Sequence, residues 1–196
     1  MAYTEWAQAV ARRLLAEPEP RRWVHTQGVA ATARTLSGIL GDDADLVVAA
    51  AWLHDIGYSA GLSVTGFHPL DGARYLRDTE HAADLLCRLV AHHSCAVIGA
   101  KASYLDDELI SEFPPPPEDL LDALTYSDMT TGPDGQAMSP EQRIAEIISR
   151  YGPGHVVTRV ITKSAPSLIA AVSRVTRMLT TVEAVDSRLD KGRFRH

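Results

Sequence analysis

The chain has 196 residues, 45% of them apolar, with a formal net charge of −6 at pH 7 and an isoelectric point near 5.7. That size supports one sizeable core without demanding a second domain, and an acidic chain with no basic stripe is a poor partner for polymeric nucleic acid. Two cysteines, Cys87 and Cys95, make no disulfide framework or zinc knuckle, and the longest apolar run, Leu46 to Leu53, is too short to span a bilayer, so a reducing cytoplasm with no membrane attachment is expected.

Trp6, Val10 and Leu14 recur every fourth residue between Thr4 and Ala16, and Pro18 and Pro20 end the run, so the first element reads as a helix. A second helix is expected from Arg22 to Leu40, closed by Gly41, with Val29, Thr32 and Leu36 on the stripe that carries His25. His25 therefore faces the core. After Asp42-Asp43, the run Leu46 to Leu53 is apolar on every side, the mark of a buried central helix closed by Gly57. Its last turn holds His54 and Asp55, where the helix dipole favours a cation.

Pro69, at a first helical position, puts His68 at the start of a short helix whose Leu70, Ala73 and Leu76 form an apolar face. The segment Glu80 to His93 turns Ala82, Leu86, Leu89 and Val90 inward; His92 and His93 both extend that face, and spacing does not separate them. A short helix over Tyr104 to Glu112 and a polyproline connector, Pro114 to Pro117, follow. Leu121 and Leu124 precede Asp128 on one helical face, which turns Asp128 inward as well.

Ser139-Pro140-Glu141-Gln142 has capping-box spacing with proline at the first helical position and opens a helix to about Tyr151. Gly152-Pro153-Gly154 breaks it, and two periodic segments, His155 to Lys163 and Ser167 to Ser187, complete the chain. No period-two alternation marks a strand, so the expected fold class is all-α, a single helical domain over residues 1–196. The motif-bearing core spans about 22–134, and the helices over about 139–190 either close the site or meet a second copy in a homodimer.

His25, His54, Asp55 and Asp128 thus all point inward. Buried ionisable groups are costly unless paired or bound to metal, so their convergence points to a divalent ion held by imidazoles and carboxylates. Such a set leaves coordination positions open for water, which makes His54, Asp55 and Asp128 the residues nearest the chemistry.

The segments Trp23-Val24-His25-Thr26-Gln27-Gly28-Val29, Trp52-Leu53-His54-Asp55-Ile56-Gly57 and Ser127-Asp128 resemble, in order and combination, the HD-domain metal-dependent phosphohydrolase superfamily over about Trp23 to Asp134. The resemblance implies an HD-type helical bundle with His25, His54, Asp55 and Asp128 as ligands of a divalent metal (Fe, Mn, Co, Ni, Zn or Mg), and hydrolysis of a phosphoester or phosphoanhydride, often of a nucleotide. Gly66-Phe67-His68-Pro69-Leu70-Asp71-Gly72-Ala73 and Val90-Ala91-His92-His93-Ser94 are similar to the extra histidine motifs of dinuclear members. There Asp55 would bridge two ions, the second taking His68 and one of His92 and His93. The layout is similar to the bacterial symmetrical dinucleoside tetraphosphate hydrolases, but His93-Ser94-Cys95-Ala96-Val97 stands where that group has His-Thr-Ser/Thr-Gly-Arg.

The substrate implied is a small phosphorylated metabolite, with Arg74, Lys101 and Arg150 as candidate phosphate clamps. Two other readings use the same residues: a mixed-valent di-iron oxygenase, since His and Asp ligands suit redox iron too, and a non-catalytic nucleotide-binding regulator.

Overall fold

The computed structural model describes residues 3–193, and side chains as far as Ala184 with Glu183 excepted. Met1, Ala2 and residues 194–196, which the single-domain expectation includes, lie outside the described residues. The elements are helices throughout: α1 (Tyr3–Leu15), α2 (Pro20–Arg34), α3 (Ser37–Leu40), α4 (Ala44–Leu53), α5 (His68–Asp78) and α6 (Asp84–His92), then α7 (Ala96–Ala102), α8 (Asp106–Glu112), α9 (Glu118–Met129), α10 (Pro140–Tyr151) and α11 (Val156–Arg193). Among the described residues the only β pairing is an isolated bridge between Thr131 and Ala137, so the fold is all-α.

α4 is the hub. Every residue from Val47 to Leu53 is buried, because an element apolar all round has no face to give to water. It packs against α1 and α2 on one side and α6 and α9 on another. Leu15, Val29, Leu36, Leu70, Leu86, Leu89 and Leu124 close around it as one core. A second, smaller cluster of Met129, Ile144, Ile147, Ile161, Leu168 and Val172 joins α9, α10 and α11. The site lies where these two clusters meet.

Several elements differ from expectation: the central helix ends at Leu53, so His54 and Asp55 follow it instead of occupying its last turn. The second helix stops at Arg34 because the Thr35 hydroxyl donates back to the Thr32 carbonyl at 2.7 Å and the amides of Thr35 and Leu36 bond three residues back, tightening the chain before α3. The helix expected from Glu80 begins at Asp84, after His81 in the left-handed region at φ 52°. α7 was not foreseen; its alanine-rich run lacks an amphipathic stripe. The two C-terminal segments are a single 38-residue helix that runs through Pro166. The proline removes the donor to one carbonyl a turn back, but Leu168, Ala171, Val172 and Val175 beyond it are buried, and that burial outweighs one lost bond. The capping box at Ser139 is present in both directions, as its spacing predicts.

Candidate metal centre

Two close approaches assemble the site. A Cβ on Gly28 would sit 2.7 Å from Thr131 and 2.8 Å from Gly135, so only glycine lets the loop after α9 lie against α2. That contact puts the Gly132 carbonyl 3.0 Å from His25 Nδ1. A Cβ on Gly57 would sit 2.0 Å from the His68 carbonyl oxygen, so the 3-10 turn Ile56–Tyr58 can meet the start of α5 only without a side chain there. Buried Asp71 accepts from the amides of Val64, Thr65 and Gly66 and from the Thr65 hydroxyl, fixing the loop that delivers His68.

Two groups of donors result: His25, His54 and Asp128, and beside them Asp55, His68 and His93, with the donor atoms of each group within 4.8 Å of one another. His54 and Asp55 follow directly on the last residue of α4, the imidazole turned to one group and the carboxylate to the other. Asp55 faces both: its Oδ2 is 3.5 Å from His54 Nε2, while its Oδ1 is 3.4 Å from His68 Nε2 and 3.9 Å from His93 Nε2.

The chemistry of these donors fits a cation. His54 Nδ1 stands 2.8 Å from the Ala51 carbonyl and His93 Nδ1 2.7 Å from the Val90 carbonyl, contacts that only a protonated Nδ1 makes favourably. In the neutral rings the lone pair is therefore on Nε2, the atom that faces the cluster. His54 Nε2 is buried and has no hydrogen-bond partner among the described residues. His25 Nε2 and Asp128 Oδ1 stand 3.0 Å apart, an approach that needs a proton or a cation between them. Ser94 donates to the other Asp128 oxygen. Ser94 and Cys95 both sit in the left-handed region, at φ 49° and 61°, a strained arrangement for side-chain-bearing residues held next to His93.

Burial disfavours charge on the imidazoles, lowering His54 and taking His68 well below its ordinary range. Burial acts in the opposite sense on Asp55, yet His54, Arg22 and His68 hold it well below the usual carboxylate range. Asp128 is likewise lowered against its burial, by His25, His54 and Arg143. His54 and His68 are thus held towards the neutral form and Asp55 and Asp128 towards the ionised one, the protonation states that bind a divalent ion.

A cavity of about 160 Å³ opens on these groups. Arg22, Arg143 and Arg150 line it, as do Tyr58, Phe67, Tyr151, Ile147, Val157, Val160 and Ile161. A family model described as the HD domain matches residues 22–153. The chain belongs to the HD domain family. Proteins of this family are generally metal-dependent phosphohydrolases that bind divalent ions. No curated protein and no solved structure matches the chain.

Within this HD domain the expected residues separate as follows. His25, His54, Asp55, Asp128, His68 and His93 come together. His92 does not: its Nε2 donates to the Phe113 carbonyl at 2.6 Å, and α6 ends there, the chain leaving helical geometry at His93, whose ring turns to the cluster. Arg150 lines the cavity, whereas Arg74 ion-pairs with Glu108 and Glu112 and Lys101 is exposed on α7; neither borders it. Sequence reasoning overlooked Arg22 and Arg143. Arg22 stands one helical turn before His25, and Arg143 shares the spacing of Ile147 and Arg150 along α10, a signal that was available. α11 lies beyond the family match, yet its Val157, Val160 and Ile161 form one apolar wall. No described helix is long and apolar enough to cross a membrane.

Proposed function

We propose that the protein is a metal-dependent phosphohydrolase acting on a small phosphorylated metabolite of the nucleotide type. One observation carries this reading: two adjacent donor groups, with Asp55 of one lying 3.5 Å from His54 of the other, open into the same cavity as three arginines. Guanidinium groups recognise phosphate oxygens in a planar, forked geometry, and a redox site for a neutral substrate has no need of three of them.

Divalent ions at this site would supply Lewis acidity and a water of near-neutral pKa. His25, His54 and Asp128 would hold one, and Asp55, His68 and His93 the other. Ionised Asp55 and Asp128, both facing the cavity, would orient the attacking water and accept its proton. Arg143 and Arg150 would take the phosphate oxygens, and Phe67, Val160 and Ile161 would face the organic part of the substrate and exclude bulk water.

The test is metal analysis of protein purified without chelator, followed by phosphate release from a panel of nucleotides and sugar phosphates. Release that chelator removes and a redox-silent divalent ion restores is the expected result. Turnover that consumes oxygen strictly, or binding of the panel without any product in the presence of metal, would overturn it.

A further inference from the structure

Arg22 lies in the wall of the cavity with its Nη1 2.7 Å from Asp55 Oδ2. Its guanidinium stacks 3.2 Å from the centroid of the Tyr58 ring, which in turn stacks on His68 at 3.9 Å. Asp55 is the side chain's one hydrogen-bond partner among the described residues, and its Nε is buried without any. Arg74, Arg77 and Arg174 are tied more firmly, each to two acidic residues, while Arg143 on the same cavity resembles Arg22 in having one acidic partner, Glu146, and a buried Nε without a hydrogen-bond partner among the described residues. A part-buried guanidinium with one anchor and an idle donor is unusual, because a buried N–H without an acceptor is costly.

The anchor is also informative. Oδ2 of Asp55 is the oxygen that faces His54 Nε2, the partnerless lone pair of the neighbouring group. A divalent ion on that lone pair would lie beside Oδ2, and the guanidinium already holds that same oxygen. Two cations on one buried carboxylate oxygen repel each other strongly where solvent screens poorly.

We propose that Arg22 is an internal counter-cation, which neutralises Asp55 while the site holds no ion and, when metal binds, gives up that oxygen and turns its guanidinium to an anion in the cavity. The proposal rests on the metal reading above. It makes metal and substrate anion mutually reinforcing: the ion frees the guanidinium, and the anion receives it. Release breaks no other hydrogen bond, and the Tyr58 face remains available to support the side chain in either position.

The experiment is calorimetric titration of Mn2+ into the chelator-stripped full chain, with and without inorganic phosphate, for the wild type, Arg22→Gln, Arg22→Met and Arg22→Lys, alongside thermal melts of each. Without phosphate, the two neutral variants should bind Mn2+ about tenfold more tightly than the wild type, while Arg22→Lys, which keeps the charge, stays near it. Phosphate should tighten Mn2+ binding to the wild type and do so much less in the neutral variants. Stripped of metal, those variants should melt below the wild type, since Asp55 loses its cation, and Mn2+ should close the gap. If they fold only in Mn2+, the ion has taken the arginine's place and the proposal stands; failure to fold with Mn2+ as well would overturn it. Mn2+ binding that is unchanged or weaker in both neutral variants would also overturn it, reducing Arg22 to a prop for Asp55, while the metal reading survives. A wild-type chain that takes up no divalent ion would remove both.

Discussion

The two donor groups sit side by side but are held differently. In the inner one, His25, His54 and Asp128 are all buried; the main chain fixes the His54 ring through Ala51 and the His25 ring through Gly132, and Ser94 holds the carboxylate. The outer group is less constrained: only its His93 is tied to a main-chain carbonyl, His68 is part-exposed and oriented by stacking on Tyr58, and Asp55 is shared with Arg22. Ligands fixed by hydrogen bonds to their far side lose little freedom on binding, so preorganisation favours the inner group. All three outer ligands border the cavity together with His25 and Asp128 of the inner group, whereas His54 does not. On the proposed function, the pairing of a rigid group with an adjustable one would let one ion be held firmly while a second came and went.

The most severe way to test that contrast is His54→Ala, which removes the partnerless Nε2 from the rigid group. Metal content should fall to background and phosphate release by about a thousandfold or more, read by elemental analysis and a phosphate assay. Full metal content in the variant would dissolve the inner site. His68→Ala should act on the outer group alone, leaving the tighter titration event in place and deleting the weaker one. Loss of both together would mean that the groups are one site. Tyr58→Leu removes the stack while leaving each donor in place; the weaker event should lose about tenfold in affinity, and the tighter should not move.

The smallest effect is the pH dependence of the metal-free fold. His54 and His68 are lowered from an ordinary value of 6.5, so below that pH the unfolded chain takes up protons that the folded one refuses. Stability therefore falls as pH drops from about 6.5, by up to about 1.4 kcal/mol per pH unit for each ring. Asp55 and Asp128 have the same sign in a lower window: their pKa values are lowered from 3.8, so their contribution is intact between pH 6.5 and that value and is lost only below it. Chelator-treated His68→Gln should show a shallower slope of melting temperature between about pH 6 and pH 5 than the wild type. An unchanged slope would mean that this ring is no harder to protonate than in the unfolded chain.

Much of the architecture was legible without coordinates. The apolar run over Leu46 to Leu53 could be nothing but a buried helix, and the stripe through His25, Val29 and Leu36 turned that histidine inward. The Ser139 box could open only a helix. Element ends were less legible where a local bond competes with the period, as at Thr35, or where burial overrides a breaker, as at Pro166. Two adjacent histidines could not be told apart, because the choice between His92 and His93 rests on what stands across from each, a Phe113 carbonyl or a carboxylate.

The order of residues by itself determined which side chains leave water, since a helical period assigns each position a face. It did not determine what those faces meet. The division of six ligands into two groups, the capture of Asp55 by an arginine, and the roofing of the cavity by a helix beyond the family match were settled only by packing. The reason is physical: direction along one helix is a local property of the backbone, whereas a neighbour on another helix depends on every contact that sets the two axes at their distance and angle.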